Sequence, residues 1–174
     1  RSSVRSIIAT GYGRVSADFA DRTVTEITCH ARGAYCLNPE IRTVLDIGGQ
    51  DSKVIRLDDQ GNVIDFVMND KCAAGTGRFL EVMCRILETE VQDIDNLAAD
   101  ATAEPISSMC TVFAESEVVS LLAKGASRQS IARGVLESIA GRVIALAGRL
   151  EVKPGIAFTG GLSQSRVLRE SLER

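Results

Sequence analysis

Hydrophobic and polar positions along this chain follow two rhythms. Between residues 43 and 68 the rhythm is that of strands. Thr43-Val44-Leu45-Asp46-Ile47 is a strand of the buried type, and it ends in Gly48-Gly49-Gln50-Asp51. Lys53 to Leu57 and Val63 to Met68 read as two further strands. The segment between them, Asp58-Asp59-Gln60-Gly61-Asn62, is rich in turn-forming residues. Short spacing and a Gly-Asn turn predict an antiparallel meander.

The second rhythm is helical. Phe79, Val82, Met83, Ile86 and Leu87 recur at i, i+3, i+4, i+7 and i+8, which predicts a helix running to about Glu88. A longer stripe of Ile131, Val135, Ile139, Val143 and Leu146 is widened by Leu136, Ile144 and Leu150. It predicts a helix capped by Ser127 and reaching about Leu150. Between the two lie a short helix within 91–101, a break at Glu104-Pro105, and a helix from about Phe113 to Lys124 stopped by Gly125. Upstream, Ile7 to Thr10 reads as a strand entering a Gly11-Tyr12-Gly13 turn. Residues 24–36 read as a helix capped by Thr23 or Thr25, with Ile27, Ala31 and Ala34 on one side and Asn38-Pro39 at its end. Downstream, Lys153-Pro154-Gly155 leads into a strand, Ile156 to Thr159, then Gly160-Gly161. A last helix starting near Ser163 carries Val167, Leu168 and Leu172.

These elements define an α/β chain. Residues 1–40 supply a strand and a helix, too little to close a core, so the expected division is a partial first lobe at 1–40 and a second lobe at 41–174.

Composition narrows the function classes. The chain has 174 residues, 45% hydrophobic and 25% charged, with a formal net charge of −3. That balance gives no general electrostatics for nucleic acid or membrane, and no apolar run approaches the roughly 20 residues of a membrane span. No signal peptide is visible, although the chain opens Arg1-Ser2-Ser3 rather than with Met, as an excised fragment would. Five cysteines stand at 29, 36, 72, 84 and 110. An odd count in a chain of this size argues against a disulfide scaffold and for a reducing, cytoplasmic setting. With one histidine, His30, and no CxxC pair, thiolates must dominate the ligands of any metal.

Candidate chemistry gathers at the glycines. A strand followed by Gly-Gly lets a ligand approach the backbone. The first pair, Gly48-Gly49, is flanked by Asp46, Gln50 and Asp51, the residue types that handle a triphosphate with Mg²⁺: a carboxylate holds the ion through water and a polar side chain orients the attacking water. The second pair, Gly160-Gly161, suits a nucleoside or ribose edge. Gly75-Thr76-Gly77 precedes a helix, where bare N–H groups and the helix dipole favour an anion. Two anions fit there, a nucleotide phosphate or a thiolate-ligated metal centre. Ordinary tight turns explain one such glycine pair; two pairs plus Gly-Thr-Gly favour a nucleotide.

Cys72 and Cys110 both stand shortly before predicted helices, where a dipole favours the thiolate. Two thiolates are half of the four that a four-iron cluster takes, and a twofold dimer supplies the other half. Cys29, Cys36 and Cys84 read as small buried hydrophobes, the commoner role of cysteine. His30 adjoins Cys29, but neighbours on a helix point about 100° apart. Glu115 and Glu117 read as first-turn acids that satisfy a helix dipole. Lys71 either lowers the Cys72 pKa or is simply solvated.

Four segments carry a resemblance. Asp46-Ile-Gly-Gly-Gln-Asp-Ser-Lys, Asn69-Asp-Lys-Cys-Ala-Ala-Gly-Thr-Gly-Arg-Phe-Leu, Ser107-Ser-Met-Cys-Thr-Val-Phe-Ala-Glu-Ser-Glu-Val and Phe158-Thr-Gly-Gly closely resemble the activator component of 2-hydroxyacyl-CoA dehydratases. The ATPase subunits of benzoyl-CoA reductase share much of the pattern. Ala9-Thr-Gly-Tyr-Gly-Arg and Glu26-Ile-Thr-Cys-His-Ala also match. The resemblance implies the actin, Hsp70 and sugar-kinase superfamily, here as a ribonuclease-H-like lobe with part of a second. It implies a homodimer, or a pair of homologous subunits, sharing one [4Fe-4S] cluster held by Cys72 and Cys110. It implies ATP or ADP with Mg²⁺ at Asp46, Gly48, Gly49, Gln50 and Asp51, with Gln50 and Asp51 catalytic. Gly75, Thr76 and Gly77 belong to the same cofactor set, and Gly160 and Gly161 take the adenosine side. The implied partners are a dehydratase and a ferredoxin or flavodoxin donor. The family's first phosphate loop and its C-terminal crossing segment are not found, so the chain reads as a fragment lacking both ends. A reductase-type ATPase subunit, a small-molecule kinase without a cluster, and a non-catalytic nucleotide-binding module are the rival expectations.

Overall fold

A computed structural model describes residues 3–108 and 110–174; Met109, within the Cys110 motif, lies outside the described residues. The meander forms as expected. Strands β3 (Thr43–Ile47), β4 (Ser52–Leu57) and β5 (Val63–Asn69) pair antiparallel, and β6 (Ile156–Thr159) joins β3 in parallel, giving the order β5-β4-β3-β6. A short parallel pair, β1 (Ile8–Ala9) and β2 (Arg22–Thr23), stands apart from this sheet.

Alternation along the central strands sends side chains to two cores. On one face Val44, Ile55 and Leu57 meet Ala31 and Ala34 of α1 (Glu26–Leu37). Thr25 caps α1, its hydroxyl accepting the Thr28 amide at 3.2 Å. The helix therefore packs on the main sheet. The reason is local: Ala31 and Ala34 let the helix sit close to the sheet. Cys29 and Cys36 are exposed on α1, not buried as expected, because the stripe of Ile27, Ala31 and Ala34 turns inward instead. Before α1, Tyr12, Val15 and Phe19 stay 73–81% exposed, so residues 3–23 close no core of their own.

The other face carries the larger core. It is built from α2 (Gly77–Ile86), α3 (Ile94–Ala98), α4 (Thr111–Ala123), α5 (Arg128–Ala147) and α6 (Arg166–Leu172). The predicted stripe of α5 is buried at Ile131, Val135, Ile139 and Val143. Burying each such side chain stabilises by about 1.5–3 kcal/mol. Details differ from expectation. The stripe of α2 is rotated toward Leu80 and Cys84, with Val82 and Ile86 only partly buried. Helix α5 ends at Ala147, and a 3₁₀ turn at Gly161–Gln164 precedes α6, which Ser165 caps rather than Ser163. Among the described residues, no helix is long and apolar enough to cross a membrane.

Candidate nucleotide and thiol sites

The loop Gly48-Gly49-Gln50-Asp51 joins β3 to β4 and is closed by the Gly48 amide donating to the Asp51 carbonyl at 2.9 Å. Register places Asp46 opposite Lys53 on β4 and opposite Thr159 on β6. The Thr159 hydroxyl donates to Asp46 Oδ1 at 3.1 Å. Lys53 is 4% exposed, and its Nζ lies 2.9 Å from Asp51 Oδ1, 3.1 Å from Glu26 Oε1 and 3.3 Å from Asp46 Oδ2. His30 Nδ1 approaches Asp46 Oδ2 at 3.7 Å. Burial alone lowers the pKa of the Lys53 ammonium. Hydrogen bonds to Asp51 and Glu26 and the charges of Asp46 and Asp51 outweigh it, so the net shift is upward. Three carboxylates around one ammonium leave this edge net anionic.

The glycines divide in two kinds. A Cβ on Gly160, at φ 89°, meets the Ile47 carbonyl at 2.2 Å and Asp46 Oδ1 at 2.8 Å, so Gly160 packs β6 against β3. Gly49 and Gly161 face open space within 4 Å. In each pair a Cβ on the first glycine would strike neighbouring atoms, while one on the second would meet none within 4 Å. Gln50 is exposed on the same loop, with no side-chain hydrogen bond among the described residues.

The bare N–H groups expected at the Gly75-Thr76-Gly77 helix start are not found. These residues are buried. The Gly77 and Arg78 amides at the start of α2 donate to the Gly48 and Gly49 carbonyls, each at 2.8 Å. Two helix N-terminal donors expected to be bare are thus engaged by the phosphate-type loop itself. A Cβ on Gly77 lies 3.0 Å from the Gly49 Cα, which explains the glycine there.

The two candidate thiols converge. Cys72 and Cys110 are both exposed and line one cavity of about 460 Å³, with Asn69, Arg142 and Arg149. Cys110 is the N-cap residue of α4, as expected. Cys72 lies in the loop before α2 and is not at its terminus, which Thr76 occupies. Asn69 shapes that loop: its amide nitrogen donates to the carbonyls of Cys72 at 2.8 Å and Ala74 at 3.0 Å, and its oxygen accepts the Cys72 amide at 3.2 Å. Glu117 lies beyond the first turn of α4 and is no dipole partner. It accepts the Ser107 and Ser108 amides at 3.0 and 2.8 Å and the Ser107 hydroxyl at 2.7 Å. Burial acts against this charge, but the bonds from Ser108 and Ser107 bring the Glu117 pKa down to about 2. Cys84 is buried as expected, and burial pushes its thiol up to about 11.

Two thiols on one cavity fit half of a four-iron centre and cannot complete it. Among the described residues no cluster of three or more His, Cys, Asp or Glu could hold a metal ion alone. Sequence reasoning missed Lys53, Glu26, Thr159, Asn69 and Arg142. The signal for Lys53 is its register opposite Asp46, two residues beyond Asp51.

The layered sheet and its paired glycine turns are those of a nucleotide-handling α/β lobe. The chain belongs to the BadF/BadG/BcrA/BcrD ATPase family, whose model matches residues 1–174. It is 52% identical over 166 residues to the activator of lactoyl-CoA dehydratase of Anaerotignum propionicum, covering 95% of this chain and 64% of that protein. Component A of the Acidaminococcus fermentans (R)-2-hydroxyglutaryl-CoA dehydratase superposes with a TM-score of 0.91 at 50% identity, over 97% of this chain and 65% of that one. The activator of the 2-hydroxyisocaproyl-CoA dehydratase from Clostridium difficile, solved with bound ADPNP, gives 0.91 at 43% identity, over 100% and 65%. Xylulose kinase from Bifidobacterium adolescentis shares the fold alone, at a TM-score of 0.50 and 12% identity over 84% and 34%. The chain thus spans just under two thirds of the activators it matches.

Proposed function

We propose that the whole protein is an ATP-dependent one-electron donor that activates a 2-hydroxyacyl-CoA dehydratase, working as a pair of subunits around one [4Fe-4S] cluster. The observation that carries this reading is the convergence of Cys72 and Cys110 on one exposed cavity, beside a helix bonded to the Gly48-Gly49 turn. The activators it resembles point the same way. Cys72 and Cys110 from each of two subunits supply the four thiolates. When bound, the cluster holds one electron between a reduced ferredoxin or flavodoxin and the dehydratase.

At the other end, Asp46 and Asp51 would hold Mg²⁺, Gln50 would orient the water that attacks the γ-phosphate, and Gly49 and Gly161, where a Cβ would meet nothing within 4 Å, would border ATP or ADP. Nucleotide state reaches the thiols through the Gly77 and Arg78 amides, because a shift of the Gly48-Gly49 turn moves α2 and the loop that precedes it. Such coupling requires that ATP and ADP prefer different arrangements. The setting is cytoplasmic, where thiols stay reduced. Anaerobic purification of the whole protein, with iron analysis of wild type and Cys72→Ser, tests the reading. Loss of iron in the variant supports it, and a variant that keeps its iron and brown colour refutes the ligand assignment. A kinase of the same fold has no use for the paired thiols.

A further inference from the structure

Arg142 on α5 touches both thiol loops at once. Its Nη2 donates to the Ser108 carbonyl at 2.7 Å, two residues before Cys110. Its aliphatic stem lies against Gly75 in the Cys72 loop, where an added Cβ would sit 3.1 Å from Arg142 Cβ and 3.3 Å from Cδ. Its guanidinium stands 5.4 Å over the Phe79 ring of α2, within cation–π range. Its Nε reaches Ser138 Oγ, one turn back on α5, at 3.5 Å. The residue thereby links α2, α5 and the two loops. It also lines the Cys72–Cys110 cavity together with Arg149, and among the described residues no carboxylate lines that cavity. The wall is cationic, although the chain as a whole is acidic.

We propose that Arg142 is a positioning residue that ties the Cys72 and Cys110 loops to α5 and presents a fixed cation to the anionic centre their thiolates hold. This rests on the cluster reading above. Arginine suits both tasks: it stays charged in proteins, and its planar fork bonds a carbonyl while the ring face beneath takes the rest of its charge. A cation beside a centre that gains an electron favours the reduced form. Removing it disfavours reduction.

The test uses the whole protein, purified without oxygen, as wild type, Arg142→Gln and Arg142→Lys. Iron content and midpoint potential are measured, and amide hydrogen exchange of residues 72–76 and 107–110 is followed in iron-free protein. In the glutamine variant the reduction equilibrium is expected to shift at least about tenfold toward the oxidised form, about 59 mV for one electron. Exchange in both loops is expected to speed up about tenfold. Lysine restores most of the potential, since it keeps the charge, but not the exchange protection, since it lacks the fork. A glutamine variant with wild-type potential, or with wild-type protection of both loops, overturns the proposal. If that variant fails to fold, Arg142→Lys carries the exchange measurement, and wild-type protection there overturns the tether. Wild type without iron would sink the cluster reading and the cation's role with it; the exchange arm then still decides the tether.

Discussion

Gly77 donates its backbone N–H to the carbonyl of Gly48 at 2.8 Å, and no side chain intervenes. The bond joins the turn that carries the candidate phosphate residues to the helix that follows the Cys72 loop. A backbone bond of this kind moves with either partner, so it is the contact through which the proposed coupling would pass.

Gly77→Ala tests that route. The new Cβ meets the Gly49 Cα at 3.0 Å and the Gly48 carbonyl at 3.3 Å, so turn and helix must part. A destabilisation of about 1–3 kcal/mol is expected from such overpacking, measurable by urea unfolding. In the whole protein, the effect of ADPNP on the alkylation rate of Cys72 should shrink at least several-fold. An undiminished nucleotide effect would place the route elsewhere.

Lys53→Met leaves Asp46, Asp51 and Glu26 facing one another without their buried cation. Breaking a buried ion pair by removing one partner costs about 3–5 kcal/mol, which sets the expected loss at pH 7. Lys53→Arg, which keeps a cation at that place, should lose clearly less stability in urea unfolding. Equal losses in Lys53→Met and Lys53→Arg would mean that the charge of Lys53 is not what stabilises the site.

Glu117 gives the Cys110 loop a defined pH response. Its pKa lies at about 2 against an ordinary 4.5. The unfolded chain therefore binds the proton more readily than the folded one, so the stabilisation is present above about 4.5 and is lost as pH falls toward 2. Protection of the Ser107 and Ser108 amides, taken relative to intrinsic exchange at each pH, should fall across that window in wild type. In Glu117→Gln that protection should already be low at pH 7.

Asn69→Ala removes three hydrogen bonds from the Cys72 loop at once. Each is worth about 0.5–1.5 kcal/mol net. Cys72 should react faster with iodoacetamide while Cys84, on the buried face of α2, stays protected.

Much of this architecture is legible in the hydrophobic pattern. The β3–β4–β5 meander and the Ser127-capped α5 follow from local periodicity and caps. The packing of α1 on the main sheet does not, because Ala31 and Ala34 are too small to advertise which surface they meet. At the site, Asp46, Cys72 and Cys110 stand out by residue type and position. Lys53 and Arg142 do not, because their roles come from strand register and from a helix crossing two distant loops. Gly75-Thr76-Gly77 misleads for the same reason: local sequence shows amides at a helix start, and only the tertiary fold shows the Gly48 and Gly49 carbonyls that take them.

Whether two copies of this chain pool Cys72 and Cys110 around one four-iron centre is decided by iron and sulfide per subunit, measured on the whole protein purified without oxygen alongside its mass in solution. A dimer with about four irons is expected, reduced to background in Cys72→Ser and in Cys110→Ser. An iron-free dimer that still activates its dehydratase, or a monomer that holds all four irons, would contradict it.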